Sequence, residues 1–184
     1  MTGGADPLRL FAEWFPWDPS FLGVPTALAT ASPEGRPSVR MVLMKDADER
    51  GLSFFTGYES RKGRELEANP HAALLFHGGE RQVRVEGTVG RVAPEESDAY
   101  WTTRPVASRR SAAASHQSEP IASREELAAA VAAQPDEPPR PARWGGYRLV
   151  PSSWEFWQHR DDRLHERHLF VRDGDGWRTV LLQP

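Results

Sequence analysis

Two short basic segments carry residue types and spacings that could do chemistry: residues 40–45 (Arg-Met-Val-Leu-Met-Lys) and residues 163–167 (Arg-Leu-His-Glu-Arg). Side chains alternate between the two faces of a strand, so the second segment is predicted to place Arg163, His165 and Arg167 on one face. Three cationic or ionisable donors on one face repel each other unless an anion or an electron-rich ring lies against them. In the first segment, Arg40 and Lys45 stand at the ends of an apolar stretch. We predict that both segments line a site for a phosphorylated, aromatic small molecule.

Another basic pattern begins at Ser60, where the sequence Ser-Arg-Lys-Gly is predicted to open a helix. Arg61 and Lys62 in the first turn oppose the helix dipole, at a cost of about 0.3–1 kcal/mol each. A bound anion would remove that cost, because the free N–H groups, the dipole and both side chains would then act together. A solvated pair of charges beside a loop is an equally good interpretation of the spacing.

Residues 104–118 add further groups that bind phosphate in proteins. Arg104, Ser108 and the two arginines that follow combine guanidinium forks with a hydroxyl, which suits phosphate oxygens. A flexible basic loop is the simpler interpretation of this segment taken alone. Gln117 and Ser118 offer an amide and a hydroxyl that could hydrogen-bond a heterocycle or a phosphate.

The remaining motifs are aromatic residues and histidines. Trp157 belongs to a predicted strand in which aromatic and polar residues alternate, and it could border a planar ligand. His165 and His168 do not predict a metal site, because there is no cysteine and no second cluster of histidines and carboxylates. The sequence contains no G-x-S-x-G, P-loop or Rossmann fingerprint, so serine hydrolase, nucleotide hydrolase and ordinary dinucleotide functions have no support.

Composition restricts the class of partner. The chain has 184 residues, which predicts a single domain over residues 1–184, and its net charge is −3. Nucleic-acid binders usually carry a basic surplus, so local basic clusters in an acidic chain favour a small anionic ligand. No apolar run reaches the roughly 18 residues of a membrane span, and no secretory signal is predicted. The absence of cysteine fits a reducing cytoplasm, so a cytoplasmic location is expected.

Capping residues, prolines and period-2 patterns predict a largely antiparallel β protein with three or four peripheral helices, and suggest a barrel. A helical N-terminal arm is expected within residues 1–21, a long loop over 104–122 and a proline-rich linker over 134–142. The predicted helices are 7–15, 60–69, 94–101 and 123–133. The predicted strands are 22–30, 38–44, 52–56, 72–76, 81–92, 144–150, 154–158, 163–172 and 177–182, and residues 46–51 are a predicted turn.

Eight motifs then occur in one characteristic order: RMVLMK, FFTGYESRKGREL, RQVRVEG, YWTTRP, SHQS, WGGYRL, EFWQ and RLHER. Each is weak alone, but the ordered set resembles the pyridoxamine 5′-phosphate oxidase family over residues 22–184. The resemblance implies a mainly β fold with peripheral helices (α+β), the FMN-binding split β-barrel. It also implies a homodimer with FMN at the subunit interface.

The resemblance assigns roles residue by residue. Lys45, Tyr100, Arg104 and Ser108 match positions that hold the substrate phosphate, and Arg163 and His165 match the catalytic positions over the substrate's pyridine ring. A larger set matches positions that contact FMN: Arg40, Met41, Val42, Leu43, Met44, Lys45, Phe55, Thr56, Arg61, Lys62, Gln82, Gln117, Ser118, Trp157 and Arg167.

The implied reaction converts pyridoxine or pyridoxamine 5′-phosphate to pyridoxal 5′-phosphate. A hydride passes from the substrate C4′ to flavin N5, and dioxygen reoxidises the flavin with release of hydrogen peroxide. In this family a common pattern after the Arg-Pro pair is S-Q-I-G-A-W-x-S-x-Q-S, where this chain has SRRSAAASHQS. Two alternatives follow from that difference: a flavin oxidase of the phenazine-biosynthesis type, or a non-catalytic protein that binds flavin or pyridoxal phosphate.

Overall fold

The structure is a computed structural model that describes residues 6–16 and 23–184. Within these ranges the helices are α1 (Pro7–Trp14), α2 (Arg61–Ala68), α3 (Pro94–Thr103), α4 (Val106–Ala114) and α5 (Arg124–Ala132). The strands are β1 (Val24–Ala31), β2 (Pro37–Asp48), β3 (Gly51–Gly57), β4 (His71–Gly78), β5 (Arg81–Arg91), β6 (Trp144–Gln158), β7 (Glu166–Asp173) and β8 (Gly176–Leu181). The predicted start of the first strand at Leu22, and parts of the predicted N-terminal arm, lie outside the described residues.

The strands form one antiparallel sheet in the order β3-β2-β1-β4-β5-β6-β7-β8. An additional pairing of β3 with β6, from Leu52 opposite Leu149 to Gly57 opposite Trp144, closes the first six strands into a barrel. Strands β7 and β8 extend the sheet beyond the closure. The predicted mainly β architecture with peripheral helices is confirmed.

Inward-facing residues at alternate strand positions fill the barrel. Val83 and Val85 of β5 are fully buried, as are Phe76 of β4 and Phe156 of β6. Burying side chains of this size contributes about 1.5–3 kcal/mol each. Phe11 of α1 lies 4.8 Å from the Phe76 ring, so this helix packs on the barrel core. No helix in the described part of the chain is long and apolar enough to cross a membrane.

Four predicted boundaries are wrong. Strand β2 continues to Asp48, so the turn predicted over 46–51 is shorter. The two strands predicted at 144–150 and 154–158 are one strand, because β5 pairs along its whole length across a bulge at Gly87. The predicted loop over 104–122 contains α4. Residues 163–165 precede β7 instead of belonging to it.

Helix α4 escaped prediction because none of its residues, all of them described, is buried. A helix without a buried face lacks the apolar period by which a helix is recognised. Its alanines supply helix propensity, and tertiary contacts hold it in place. Arg143 donates from Nη2 to the carbonyl of Ala113, and Arg110 donates from Nη2 to the carbonyl of Ala132 at 2.7 Å.

Candidate active site

Four strands and three helices contribute residues to the lining of a cavity of about 390 Å³. Strands β2 and β3 supply most of the strand residues, and α2, α3 and α4 each supply a polar side chain. Among the described residues, those that line it are Pro25, Met41, Val42, Leu43, Lys45, Phe55, Thr56, Lys62, Tyr100, Arg104, Pro105, Ser108, Gln117 and Trp144. Eleven of these are predicted site residues, so the structure brings much of the predicted set together.

One end of the cavity is built from stacked aromatic rings and cations. The rings of Phe55 and Tyr100 stack with centroids 4.0 Å apart, and Lys45 Nζ lies 5.5 Å from the Tyr100 ring. The Arg104 guanidinium lies 4.5 Å from the Trp144 ring. Its Nη1 is buried and has no hydrogen-bond partner among the described residues. A buried guanidinium donor without a partner is costly, so this end of the cavity fits an anion.

Burial also makes the charge of Arg104 less favourable at this end of the cavity. Desolvation lowers the pKa of Arg104 from its ordinary value, with a smaller opposing effect from Tyr100. Arginine stays protonated in proteins, so the lowered pKa reflects a charge held in an unfavourable environment. An anion placed against Arg104, with the Ser108 hydroxyl and Lys45 nearby, would relieve it.

The N-terminus of α2 provides a second anion-binding feature. Ser60 caps the helix by accepting a hydrogen bond from the Gly63 N–H at 3.3 Å, as predicted. Lys62 is buried, with 7% of its surface exposed, and donates to Ser60 Oγ at 3.2 Å. Burial, followed by the charge of Arg40, lowers the pKa of Lys62 to about 8. The helix dipole, free N–H groups and a desolvated ammonium therefore favour a negative ligand at this point.

A buried carboxylate that was not predicted from the sequence, Glu65, links Arg40 and Arg61. Glu65 accepts hydrogen bonds from Thr30 (2.5 Å), Ser38 (2.6 Å), Arg40 (3.2 Å) and Arg61 (2.9 Å). Burial alone would raise its pKa, but the hydrogen bonds and the charge of Arg40 outweigh it and lower the pKa of Glu65 to about 2. The i, i+4 spacing of Arg61 and Glu65 was a signal in the sequence, but contacts with Thr30 and Ser38 depend on the fold.

Gln117 joins the loop after α4 to the barrel. Its Oε1 accepts from Thr56 Oγ1 at 2.8 Å and from the Gly57 N–H at 3.1 Å. With its oxygen held in this way, the amide nitrogen is the group left to meet a ligand in the cavity. Gln117 is followed by Ser118, which has a positive φ of 77°.

Backbone strain coincides with the predicted site. Among residues 6–16 and 23–184, the non-glycine residues with positive φ are Ser118 (77°) and Arg163 (66°). Such conformations are uncommon for non-glycine residues and persist where surrounding contacts enforce them, often at functional sites. Arg163 therefore does not lie in a strand, and the prediction that it shares a strand face with His165 and Arg167 is wrong.

A second group of predicted residues lies side by side on β5, β6 and β7. Gln82 is opposite Trp157, and Trp157 is opposite Arg167, in the register of the sheet. The His165 ring lies 4.7 Å from the Trp157 ring. Arg167 is held by the buried Glu155, which accepts from its Nε at 2.7 Å. In the part of the chain that the structure describes, none of these residues lines the 390 Å³ cavity, and neither does Arg163.

A larger cavity of about 720 Å³ lies beside α2 on the other side of Gln117. Two of its cations already have carboxylate partners: Arg64 with Glu119 at 2.8 Å, and Arg91 with Glu67 at 2.7 Å. Its third arginine, Arg143, donates to the Ala113 carbonyl but has a buried Nε without a partner among the described residues. In the smaller cavity, by contrast, Lys45, Lys62 and Arg104 all lack a carboxylate partner among the described residues. The smaller cavity is therefore the better candidate for an anionic ligand.

Comparison with known proteins decides the family. A family model described as "Pyridoxamine 5'-phosphate oxidase" matches residues 24–134. The chain belongs to the pyridoxamine 5′-phosphate oxidase family. A second model, "Pyridoxine 5'-phosphate oxidase C-terminal dimerisation region", matches residues 144–184.

Relatives agree with this placement over nearly the whole chain. A pyridoxine/pyridoxamine 5′-phosphate oxidase of Rubrobacter xylanophilus is 53% identical, covering 97% of this chain and 87% of the relative. One from Gluconobacter oxydans is 50% identical, covering 98% and 95%. The chain is an oxidoreductase of the pyridoxamine 5′-phosphate oxidase type.

Solved structures confirm the split-barrel fold. PhzG from Burkholderia lata, in complex with tetrahydrophenazine-1-carboxylic acid, has a TM-score of 0.90 and is 35% identical, covering 100% of this chain and 95% of that one. A pyridoxamine 5′-phosphate oxidase-related, FMN-binding protein from Nostoc punctiforme has a TM-score of 0.80 at 21% identity, covering 99% and 100%. The second likeness concerns the fold alone.

Proposed function

We propose that the enzyme oxidises pyridoxine or pyridoxamine 5′-phosphate to pyridoxal 5′-phosphate, with FMN as cofactor and dioxygen as electron acceptor. The observation that carries this proposal is the unpartnered, buried Nη1 of Arg104 at the end of the cavity. Lys45, Tyr100 and Ser108 line the same cavity. A guanidinium fork, an ammonium and two hydroxyls form a donor set that suits a phosphate monoester.

The residues also fit FMN. Arg61 and the buried Lys62, at the N-terminus of α2, would hold the flavin phosphate with the helix N–H groups. Strand β2 from Arg40 to Lys45, with Phe55, Thr56 and the Gln117 amide, would border the ring system. When bound, FMN supplies the hydride acceptor, and its reoxidation by dioxygen releases hydrogen peroxide.

Arg163 and His165 would position the pyridine ring and shape the charge around it. The His165 ring lies 4.7 Å from the Trp157 ring, and Arg163 precedes His165 in the same turn between β6 and β7. Neither is assigned as an obligatory general base. Arg167, fixed by Glu155, would place positive charge near the flavin. Fixed cations stabilise negative charge that develops during hydride transfer, so these residues favour the reaction electrostatically.

We further propose a homodimer with FMN at its interface. The outer face of β2 exposes Val39 (69%), Met41 (63%) and Leu43 (40%), an apolar strip that a second copy would cover. The cavity and the Gln82–Trp157–Arg167 row are separate in one chain, so a two-fold partner is expected to bring its row to the cavity. The match to a dimerisation region at residues 144–184 supports the same arrangement.

An anaerobic mixing experiment tests the function. Protein loaded with FMN is mixed with pyridoxamine 5′-phosphate, and the flavin absorbance near 450 nm (an approximate property of the cofactor) is followed. Rapid bleaching, with colour and hydrogen peroxide appearing on admission of air, is expected. Unphosphorylated pyridoxamine is the control that tests whether Lys45, Tyr100, Arg104 and Ser108 (the phosphate set) recognise the phosphate. Arg104→Ala should lose most of the preference for the phosphorylated substrate. A flavin that stays yellow with both substrates would refute the proposal.

The likeness to PhzG supports a second candidate, an oxidase of reduced phenazines. The phosphate set of Lys45, Tyr100, Arg104 and Ser108 argues against it, because an unphosphorylated tricyclic substrate does not need four phosphate donors. The same anaerobic assay with a dihydrophenazine carboxylic acid separates the two oxidases. Failure to bleach with either substrate would leave a binding protein without turnover.

A further inference from the structure

Local hydrogen bonds close the turn between β6 and β7, residues 159–165. The Arg163 N–H donates to the Arg160 carbonyl at 3.1 Å. Asp162 Oδ1 accepts from the Leu164 N–H at 3.0 Å. The second bond spans Arg163, so it fixes the backbone on both sides of the residue with φ of 66°.

The side chain of Arg160 bridges the two arms of the turn. It contacts Asp162 within the turn at 3.4 Å and Glu166 at the start of β7 at 3.2 Å. These ion pairs are about half exposed and contribute little stability individually. Their geometry nevertheless holds Asp162 in the orientation in which its Oδ1 faces the Leu164 N–H.

The same turn sets the orientation of the His165 ring. The backbone N–H of Arg160 donates to His165 Nδ1 at 3.2 Å. A nitrogen that accepts a hydrogen bond carries no proton, so the neutral ring has its proton on Nε2. The rings of Trp157 (4.7 Å) and His159 (5.2 Å) pack beside it, so the ring has little freedom to rotate. His165 is therefore held with Nε2–H as its free donor.

We propose that Asp162 is a positioning residue for the two catalytic side chains. Its hydrogen bond to the Leu164 N–H holds the left-handed backbone of Arg163 and keeps His165 against the Arg160 N–H. This inference rests on the proposed function, because it takes Arg163 and His165 as the residues that meet the substrate ring. An enforced, sparsely populated backbone conformation at a functional residue needs such local support.

Three variants test the proposal kinetically. Asp162→Ala removes the acceptor, and kcat/KM for pyridoxamine 5′-phosphate should fall about tenfold, the loss expected from one ordinary hydrogen bond. Asp162→Asn keeps an Oδ1 acceptor and should stay within about twofold of the wild type. Asp161→Ala is the matched control, because the side chain of Asp161 is fully exposed and its ion pair among the described residues is with His159, at 3.5 Å. FMN affinity should be the same in all three.

Nitrogen-15 NMR of the His165 ring gives a readout that does not need turnover. The wild type and Asp162→Asn should show the Nε2–H tautomer, whereas Asp162→Ala should show a mixture of tautomers. An Nδ1–H ring in the wild type, or equal kinetic losses in Asp162→Ala and either other variant, would overturn the proposal. If the wild type fails to oxidise the substrate, the proposed function fails, and the tautomer comparison alone then decides whether Asp162 positions His165.

Discussion

Replacing Glu65 by glutamine tests whether one buried carboxylate organises the cations at the start of α2. The carboxylate accepts from Arg61 on Oε1 and from Thr30, Ser38 and Arg40 on Oε2. An amide offers a single oxygen, so the better orientation keeps the three Oε2 bonds and turns its NH₂ group toward Arg61. At least one charge-assisted hydrogen bond is lost, at about 1.5–3 kcal/mol.

The charge lost in Glu65→Gln adds to this cost. Arg40 loses its carboxylate partner, and a largely buried charge without a partner is destabilising. We expect a total of about 3 kcal/mol. For a protein of this size that corresponds to a decrease in Tm of about 6–12 °C.

Thermal denaturation of the apoprotein, followed by circular dichroism at several pH values, measures the effect. The folded pKa of Glu65, about 2, lies below its ordinary value of 4.5, so the carboxylate contributes stability above pH 4.5 that is lost as the pH falls toward 2. Glu65→Gln should lack this part of the acid destabilisation. The control is Glu119→Gln, which removes one half-exposed ion pair with Arg64 and should cost less than about 1 kcal/mol. Equal Tm values for the two variants would refute the reasoning.

Three further predictions concern the cofactor, the interface and the barrel. Lys62, with a pKa of about 8, is mostly charged at pH 7 and mostly neutral at pH 9, so flavin fluorescence titrations should give about tenfold weaker FMN binding at pH 9, and Lys62→Met should remove the difference. Met41→Asp should yield a monomer by light scattering, whereas Val150→Asp, similarly exposed but outside the β2 strip, should remain a dimer. A dimer from both variants would contradict the proposed interface. Gly87→Ala should lower the free energy of unfolding in urea by about 1–3 kcal/mol, because its Cβ would lie 2.0 Å from the Val150 carbonyl oxygen. At Gly90, on the same strand, no described atom lies within 4 Å of the Cβ position, so Gly90→Ala should cost less, and equal losses would contradict the steric argument.

Helices with capping residues and strands with alternating polarity were predicted from the sequence, because these signals are local. The Ser60 and Ser123 caps are confirmed, with hydroxyl oxygens accepting from the Gly63 and Glu126 N–H groups. Capping residues and strand alternation depend on residues close in sequence, so they are readable without the fold. Helix α4 was missed because its stability comes from contacts with residues about 22–30 positions away and not from a buried face.

The candidate site was predictable where single residue types indicate a chemistry, and less so where the three-dimensional arrangement decides it. Motif and charge assigned Lys45 and Arg104 to the candidate site, and both line the cavity. Glu65 was not assigned, because its partners Thr30 and Ser38 are 35 and 27 residues away. The strand assigned to Arg163 was wrong because the Asp162 side chain caps a turn there, and such side chain to backbone bonds compete with strand pairing.

The division of the site residues between a cavity and a separate row has a consequence for genetics. Under the proposed dimer, each complete site takes Arg104 from one chain and Arg163 from the other. A dimer built only from chains that lack Arg104, or only from chains that lack Arg163, has a defect in both of its sites. A mixed dimer of the two kinds of chain contains one intact site and one site with both defects. Random pairing of equal amounts should then restore about a quarter of the wild-type sites. Two loss-of-function alleles of this gene are therefore expected to complement each other when their lesions fall in different halves of the site.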